Sequence, residues 1–326
     1  MTLESARPDV PRLTHMYRAM LRIRAVENTL ARIFADGEVP GFIHLSIGQE
    51  AVAVGVASAM AEGDTLATTH RGHGHVLARG LDLDGFFKEI MGRAGGICRG
   101  RGGSMHVADM TLGIIGANGI VGAGIPIALG SALALKTRAT GGIAAALFGD
   151  GAMAEGVLHE SLNLAALQRL PLLFVCENNG WSEFSRTERQ FAAPLAKLAT
   201  AFGIVHEAVD GNDVLAVAAA AEAAVAALRA GQGPRVLECR THRTRGHFEG
   251  DAQKYRDAAE LQAGIDGDAV LRTATALRNA AVEEEALTAL HKEVETEVAA
   301  ALQRARSDAW PRFEEAFADV YTLQEA

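Results

Sequence analysis

The stretch "GDGAMAEGVLHESLNLAALQRLPLLFVCENNGW", residues 149–181, decides the fold. Its first glycine follows the short apolar run 143–148, and the carboxylate of Asp150 lies in the turn after that run. A segment of helical periodicity then leads to a second apolar run, 172–176, which is followed by the amide of Asn179. Strand, helix and strand in this order, with both strands apolar throughout, predict two neighbouring strands of a parallel sheet.

The same alternation extends to both sides of this stretch. We predict helices over 46–61, 152–170 and about 214–230, and strands over 143–148, 172–176 and 235–241, with a further strand in "GIVHEAVDG". Residues 92–130 hold twelve of the 35 glycines, which indicates irregular backbone fitted closely around something. The pattern predicts an α/β fold, a parallel sheet with helices on both faces.

We expect a single domain over 1–326 with helical segments at both ends. Apolar residues recur at helical spacing near the N-terminus, which predicts a helical arm over 1–36. The alternative, an Arg-rich transit peptide, is disfavoured because Glu4, Asp9 and Glu27 interrupt the basic residues. From about 257 to 326 the sequence is acidic and helical, which predicts a C-terminal helical layer.

Composition excludes several classes of function. The net charge of −9 argues against general nucleic-acid binding, and no apolar run approaches the length of a membrane span. The three cysteines show no CxxC spacing, which favours a reducing compartment over a disulfide framework. We therefore expect a cytoplasmic protein with a substantial core, since 49% of its residues are apolar.

Asp150 and Asn179 are the strongest candidates for a metal site. Both follow the carboxyl ends of neighbouring strands, where ligands bind in an open α/β sheet. A carboxylate and an amide oxygen suit Mg²⁺ or Ca²⁺, and such a cation would join the carboxylate to a diphosphate. Trp181 could add a backbone carbonyl. Either motif alone is more typical of an ordinary turn than of a metal site, so the indication rests on the two together.

These residues resemble the alpha subunit of the thiamine-diphosphate-dependent 2-oxo acid dehydrogenase and acetoin dehydrogenase family. The resemblance runs from about residue 15 to 256, and its motifs are "GFIHLSIGQEA", "THRGHGHVLARG", "GRGGSMHVAD", "GANGIVGAGIPIALG", "GDG…ENNGW" and "THRTRGHFEGDAQKYR". It implies the thiamine-diphosphate-binding fold, with Mg²⁺ held by Asp150, Asn179 and the carbonyl of Trp181.

The resemblance also implies a set of residues around the cofactor. Gly151 and Ala152 would lie at the diphosphate, and the backbone of Gly119 and Val121 would contact the aminopyrimidine. The other positions that we expect at the cofactor are His70 and Arg71, which match a Tyr-Arg pair of the family, Arg243, which can pair with phosphate oxygens, and His247 near the reactive end.

Two histidines are our candidate catalytic residues. By the resemblance, His44 reaches the substrate, and His247 stabilises an intermediate or passes protons. His73 and His75 are close enough in sequence for a zinc pair, but no cysteine or carboxylate completes such a site, so we expect packing or hydrogen bonding. A dinucleotide-binding interpretation of "GIVGAGIPIALG" fails because Ile127 replaces the third glycine.

The resemblance implies half of an active site. In the family a beta subunit supplies the glutamate that activates the aminopyrimidine, commonly in an assembly of two alpha and two beta chains. The acyl group passes to a separate lipoyl-bearing acyltransferase, since no Asp-Lys dipeptide occurs here. Phe248 and Glu249 favour acetoin as the substrate, Glu249 because it would repel an anion; a pyruvate or branched-chain 2-oxo acid dehydrogenase is the alternative.

Two interpretations from other classes remain. One is a Mg²⁺-dependent hydrolase or phosphotransferase with Asp150 as nucleophile, although Glu155 is the only nearby second acid. The other is a non-catalytic scaffold, which the presence of Asp150, Asn179, His44 and His247 together disfavours.

Overall fold

Six parallel strands form the central sheet. The computed structural model describes residues 9–317 of the chain. The strands of this sheet are β1 Thr65–Ala67, β2 Ile114–Gly116, β3 Ala144–Gly149, β4 Leu172–Asn178, β7 Val205–Asp210 and β8 Arg235–Arg240. Their order across the sheet is β2-β1-β3-β4-β8-β7. A separate antiparallel hairpin consists of β5 Trp181–Ser182 and β6 Ser185–Arg186. The predicted parallel sheet is confirmed.

Eleven helices accompany the sheet within the described residues. They are α1 Val10–Ala35, α2 Glu50–Ala59, α3 His73–Ala78, α4 Leu83–Ile90, α5 Gly124–Thr137, α6 Gly156–Leu167, α7 Leu195–Ala201, α8 Val214–Arg229, α9 Ala258–Asp266, α10 Ala269–Asn279 and α11 Glu284–Arg306. Short 3₁₀ turns occupy Gly103–Met105, Met110–Leu112, Asp150–Ala154, Thr187–Arg189 and Phe313–Phe317.

Side chains of β4 alternate between two apolar cores, one on each face of the sheet. Leu173 and Val175 belong to a core that also holds the buried residues of α1, α2 and α8. Phe174 and Cys176 belong to the other core, together with buried residues of α5, α6 and α7. Because successive side chains of a strand point to opposite faces, helices cover the sheet on both sides, as predicted.

The terminal helices pack on each other. Helix α1 begins at Val10, after Asp9 accepts a hydrogen bond from the amide of Arg12. It contacts α10 and α11 of the C-terminal segment. The predicted arm over 1–36 and layer over 257–326 thus have helical counterparts here, while residues 1–8 and 318–326 of those predictions lie outside the described residues.

Two predicted helices begin later than expected. Helix α2 begins at Glu50, four residues after the predicted start, because Gly48 has φ +100 and a Cβ there would lie 2.2 Å from the carbonyl oxygen of His242. Helix α6 begins at Gly156 because Asp150–Ala154 forms a 3₁₀ turn. The amide groups next to Asp150 therefore belong to this turn and not to the helix.

The glycine-rich segment 92–130 is more ordered than predicted. It contains β2 and the first half of α5, a helix whose buried side chains Ile125, Ala128, Leu129 and Ala132 join the second core. Part of the remainder wraps a buried carboxylate: Glu89 accepts hydrogen bonds of 2.7–3.0 Å from the amides of Cys98, Gly100, Gly102 and Gly103. The close fit predicted for this segment is therefore partly a fit around Glu89.

Candidate active site

A cleft opens at the carboxyl ends of β1, β3 and β4. The chain leaves β1 for β2 on one side, whereas β3 and β4 lie on the other, so the cleft occupies the switch point where open α/β sheets bind ligands. Its space of about 850 Å³, part of it open to solvent, suits a cofactor-sized molecule. Asp150 lies in its wall, together with segments that follow β1, β4 and β8.

Asp150 is a buried carboxylate that forms no ion pair with any residue in the described part of the chain. Its side chain accepts a hydrogen bond from the hydroxyl of Thr187, and the nearby backbone amides of Asp150 and Asn179 also favour its ionised form. Burial raises the pKa of Asp150 to about 6, which these hydrogen bonds and the charge of Arg243 only partly offset. A divalent cation at this position would supply the missing positive charge.

Asn179 follows β4 directly, beside Asp150, because β3 and β4 are paired in register. Its Nδ2 donates to Oε1 of Gln49 at 3.1 Å, and its Oδ1 accepts from the amide of Trp181 at 3.1 Å. These two bonds fix the amide plane. The indole of Trp181 is held by a hydrogen bond to Glu260 and by packing on Tyr255 at 5.1 Å.

Two glycines bring the backbone close to the cleft for different reasons. A Cβ at Gly151 would lie 2.6 Å from Oγ of Ser182, so the β5–β6 hairpin requires glycine there. A Cβ at Gly149 would meet no atom within 4 Å, and Gly149 lines the cleft. The oxygen donors, the uncompensated carboxylate and the open backbone together fit a hard divalent cation beside a diphosphate.

Three imidazoles gather at another part of the cleft. The ring centroid of His70 lies 4.6 Å from that of His44 and 5.5 Å from that of His247, and His44 lies 5.1 Å from His247. Nδ1 of His44 is buried and has no hydrogen-bond partner among the described residues. Each of these histidines is a site residue predicted from the sequence, and the fold brings all three together.

These imidazoles are neutral at physiological pH. Burial, reinforced by the charge of Arg71, lowers the pKa of His44 to about 3, of His70 to about 2 and of His247 to about 4. At pH 7 each ring therefore carries one proton and no charge, so the three can offer hydrogen bonds but not a cationic partner.

Two buried arginines lie beside the imidazoles. Arg71 donates from Nη1 to the carbonyl oxygen of Leu45 at 2.7 Å and from Nη2 to that of His247 at 2.8 Å. Arg243, 1% exposed, donates from Nη2 to the hydroxyl of Tyr255 at 2.9 Å. Both arginines line the cleft. Pairing of Arg243 with phosphate oxygens stays a prediction.

Most of the predicted site residues line this one cleft. They are His70, Arg71, Val121, Asp150, Gly151, Ala152, Asn179, Trp181, Arg243 and His247. His44 reaches it through the imidazole cluster. Gly119 is not among the lining residues, although its neighbours Asn118 and Ile120 are, and it faces Met105 and His106.

His73 and His75 form separate buried pairs. His73 contacts Oε2 of Glu27 at 3.1 Å and Oγ of Ser104 at 2.7 Å. His75 contacts Oγ1 of Thr68 at 2.6 Å and Oε1 of Glu177 at 3.2 Å. Both use their ring nitrogens on protein partners, in agreement with the hydrogen-bonding interpretation.

Sequence reasoning missed two residues that orient the candidate metal ligands. Thr187 bonds Asp150 from the turn after β6, and Gln49 bonds Asn179 from the N-terminus of α2. No spacing rule connects either residue with the Asp150–Asn179 pair. Gln49 lies in "SIGQEA", one of the motifs of the resemblance, so that motif was the available signal.

Two arguments from the sequence need correction. Glu249 does not stand as a free anion, because its Oε1 lies 3.7 Å from Nη1 of Arg245, so its repulsion of an anionic substrate is weakened. Glu155 does not lie on the helix but caps it, is exposed and does not line the cleft. A two-carboxylate hydrolase site is therefore not formed by Asp150 and Glu155.

No helix among residues 9–317 combines the length and the apolarity needed to cross a membrane.

Known proteins resemble this chain over nearly its whole length. Residues 18–314 match the family model described as "Dehydrogenase E1 component". The alpha subunits of acetoin:2,6-dichlorophenolindophenol oxidoreductase are 43% identical over 311 residues in Bacillus subtilis (95% of this chain, 93% of the relative) and 43% over 318 residues in Cupriavidus necator (96% and 95%). The pyruvate dehydrogenase E1 component subunit alpha of Zymomonas mobilis is 45% identical over 255 residues (78% and 72%).

Proposed function

Because the chain belongs to the dehydrogenase E1 component family, which comprises thiamine-diphosphate-dependent oxidoreductases, we propose that it is the alpha subunit of an acetoin-cleaving dehydrogenase. The observation that carries the proposal is the cleft itself, where the buried carboxylate of Asp150 and the amide of Asn179 adjoin three neutral imidazoles. A pyruvate dehydrogenase alpha subunit is the second candidate, favoured by the relative from Zymomonas mobilis.

In this proposal Asp150, Asn179 and the carbonyl of Trp181 hold Mg²⁺. Thr187 and Gln49 orient the first two of these groups. When bound, thiamine diphosphate supplies carbanion chemistry at a carbonyl carbon, which side chains alone do not provide. Asp150, Asn179 and Trp181 would hold the diphosphate end through the metal, and His44, His70 and His247 would offer hydrogen bonds at the other part of the cleft.

The imidazole end of the cleft favours a neutral substrate. Arg71 and Arg243 already donate to protein acceptors from more than one nitrogen, and the three histidines carry no charge at pH 7. A substrate carboxylate would therefore have to compete for these donors, whereas acetoin needs only hydrogen bonds to its carbonyl and hydroxyl oxygens. Phe248, which packs on Phe42 at 5.9 Å, adds apolar surface nearby.

The proposal includes partners and a compartment. A beta subunit completes the active site, two alpha and two beta chains form the assembly, and a lipoyl-bearing acyltransferase accepts the acetyl group. A cytoplasmic location is supported by the unpaired cysteines Cys98, Cys176 and Cys239.

Steady-state rates of the reconstituted alpha–beta complex test the substrate. We expect kcat/KM for acetoin to exceed that for pyruvate by about tenfold or more, which corresponds to about 1.4 kcal/mol of transition-state binding. The Phe248→Ser variant removes the apolar ring, so its kcat/KM for acetoin should exceed that for pyruvate by a smaller factor than in the wild type. A wild-type preference for pyruvate would assign the chain to the 2-oxo acid dehydrogenases instead.

A further inference from the structure

We propose that Arg71 and Arg243 are positioning residues that hold His247 as its neutral Nε2–H tautomer, so that Nε2–H faces the cleft as a hydrogen-bond donor. The tautomer is a property of this chain alone. Only the identity of the acceptor, an oxygen of the substrate, rests on the proposed function.

The tautomer follows from which partners Nδ1 of His247 has. Nη2 of Arg71 and Nη1 of Arg243 each lie 3.4 Å from this nitrogen with hydrogen-bonding geometry. A guanidinium group has donors and no acceptor, so a nitrogen that faces two of them must present its lone pair. The single proton of the neutral ring is therefore on Nε2.

The same contacts disfavour the imidazolium form, because a proton on Nδ1 would point at two cations. The groups that face His247 are His44 and Arg71 from the loops before α2 and α3, His70 beside Arg71, Phe184 from the β5–β6 hairpin, and Arg243, Phe248 and Asp251 from its own segment. Among these, Asp251 is the one carboxylate, and it binds the backbone of His247 and not the ring.

A closed set of hydrogen bonds fixes the backbone of His247. Its amide donates to Oδ2 of Asp251 at 2.7 Å, and its carbonyl oxygen accepts from Arg71 at 2.8 Å. The hydroxyl of Tyr255 donates to Asp251 at 2.6 Å and accepts from Arg243 at 2.9 Å. Arg243 thus acts on both the ring and the backbone of His247, which keeps the direction of Nε2–H constant.

The tautomer of His247 also argues against a metal site at the imidazole cluster. Ligand atoms of His44, His70 and His247 lie within 4.8 Å of one another, as in a histidine metal site. Coordination through Nε2 would move its proton to Nδ1, against both guanidinium groups. We therefore expect the cluster to donate a hydrogen bond to a neutral oxygen and not to bind Zn²⁺ at micromolar concentrations.

Nitrogen NMR of the full chain, labelled with ¹⁵N in its histidine rings, tests the tautomer directly. We expect His247, assigned by the loss of its signals in His247→Gln, to show a protonated Nε2 and an unprotonated Nδ1 from pH 5.5 to 8. Arg243→Met should raise the Nδ1–H population, while Arg243→Lys, which keeps a donor, should preserve the wild-type pattern. His206, which contacts Glu238 at 2.9 Å, is the internal control. Its ring signals should be the same in the wild type and in both Arg243 variants.

Several results would overturn the proposal. They are an Nδ1–H tautomer or an imidazolium in the wild-type chain near pH 7, an unchanged tautomer in Arg243→Met together with Arg71→Met, and a calorimetric Zn²⁺ site that disappears in His247→Gln. These measurements use neither cofactor nor substrate. They can therefore refute the tautomer without refuting the proposed function, and a failure of the proposed function would leave the tautomer intact.

Kinetics of the reconstituted complex test the donor role. Glutamine keeps an N–H near the position of Nε2, so His247→Gln should stay within about tenfold of wild-type kcat, whereas His247→Ala should lose about 100-fold. Equal losses in the two variants would refute a donor role at Nε2.

Discussion

Replacing Asp150 by asparagine should weaken the Mg²⁺-dependent binding of thiamine diphosphate by about 100-fold or more. Loss of a group that only orients a metal ligand typically costs 10–100-fold in affinity, and Asp150 is proposed as a ligand itself. Calorimetric titration of the variant with the cofactor at saturating Mg²⁺ measures the loss. Unchanged affinity would remove Asp150 from the site.

The matching control separates binding from folding. Asn is nearly isosteric and uncharged, and burial disfavours the ionised form of Asp150. The Asp150→Asn chain without ligands should therefore unfold at a temperature no lower than the wild type at pH 7. Asp36→Asn, the same change at an exposed carboxylate, should alter neither property.

The second large effect concerns the missing partner. The isolated chain should turn over acetoin slower than the complex by a factor of about 10²–10⁴, the usual contribution of general acid–base catalysis. Addition of the beta chain should restore the rate. Acetoin-dependent reduction of an artificial electron acceptor measures the rate of the isolated chain and the rate of the alpha–beta complex.

This prediction has one alternative, in which a carboxylate of this chain activates the aminopyrimidine in place of the beta subunit. Besides Asp150, two carboxylates line the cleft, Glu177 and Glu183. Glu177 is buried against His75, and Glu183 is exposed on the β5–β6 hairpin. If either activates the aminopyrimidine, the isolated chain will be fully active and Glu177→Gln or Glu183→Gln will abolish that activity, which would contradict a shared active site.

The adjacency of Asp150 and Asn179 was predictable because it depends on local rules. Two apolar runs joined by one helix form neighbouring parallel strands, and residues that follow such strands share one edge. The structure pairs β3 with β4 in register up to Gly149 and Glu177, so the two residues, 29 positions apart, flank the same cleft.

The groups that orient this pair were not predictable in the same way. Thr187 and Gln49 come from a hairpin and from another helix, and tertiary packing alone brings them to the pair. The resemblance predicts that Gly151 contacts the diphosphate, and its close approach to Ser182 gives a second reason for glycine at this position. Helix α5 was not predicted because Gly124 and Gly130 lower its helix propensity, which burial in the second core overrides. Pro126 lies in its first turn, where the missing N–H costs little.

The imidazole cluster was predictable only in part. His44, His70 and His247 belong to three separate motifs, and a family resemblance could mark each one, but not their mutual distances. Their neutrality depends on burial beside Arg71 and Arg243, which no spacing reveals. The charge argument from Glu249 failed for the same reason, since its partner Arg245 became apparent only in the structure.

Anomalous diffraction from crystals of the alpha–beta complex with thiamine diphosphate and Mn²⁺ in place of Mg²⁺ tests the central claim most directly. The account predicts one strong manganese peak coordinated by the carboxylate of Asp150, the amide oxygen of Asn179 and the diphosphate. A diphosphate in the cleft with no manganese at these two strand ends, or a manganese peak among His44, His70 and His247 instead, would contradict it.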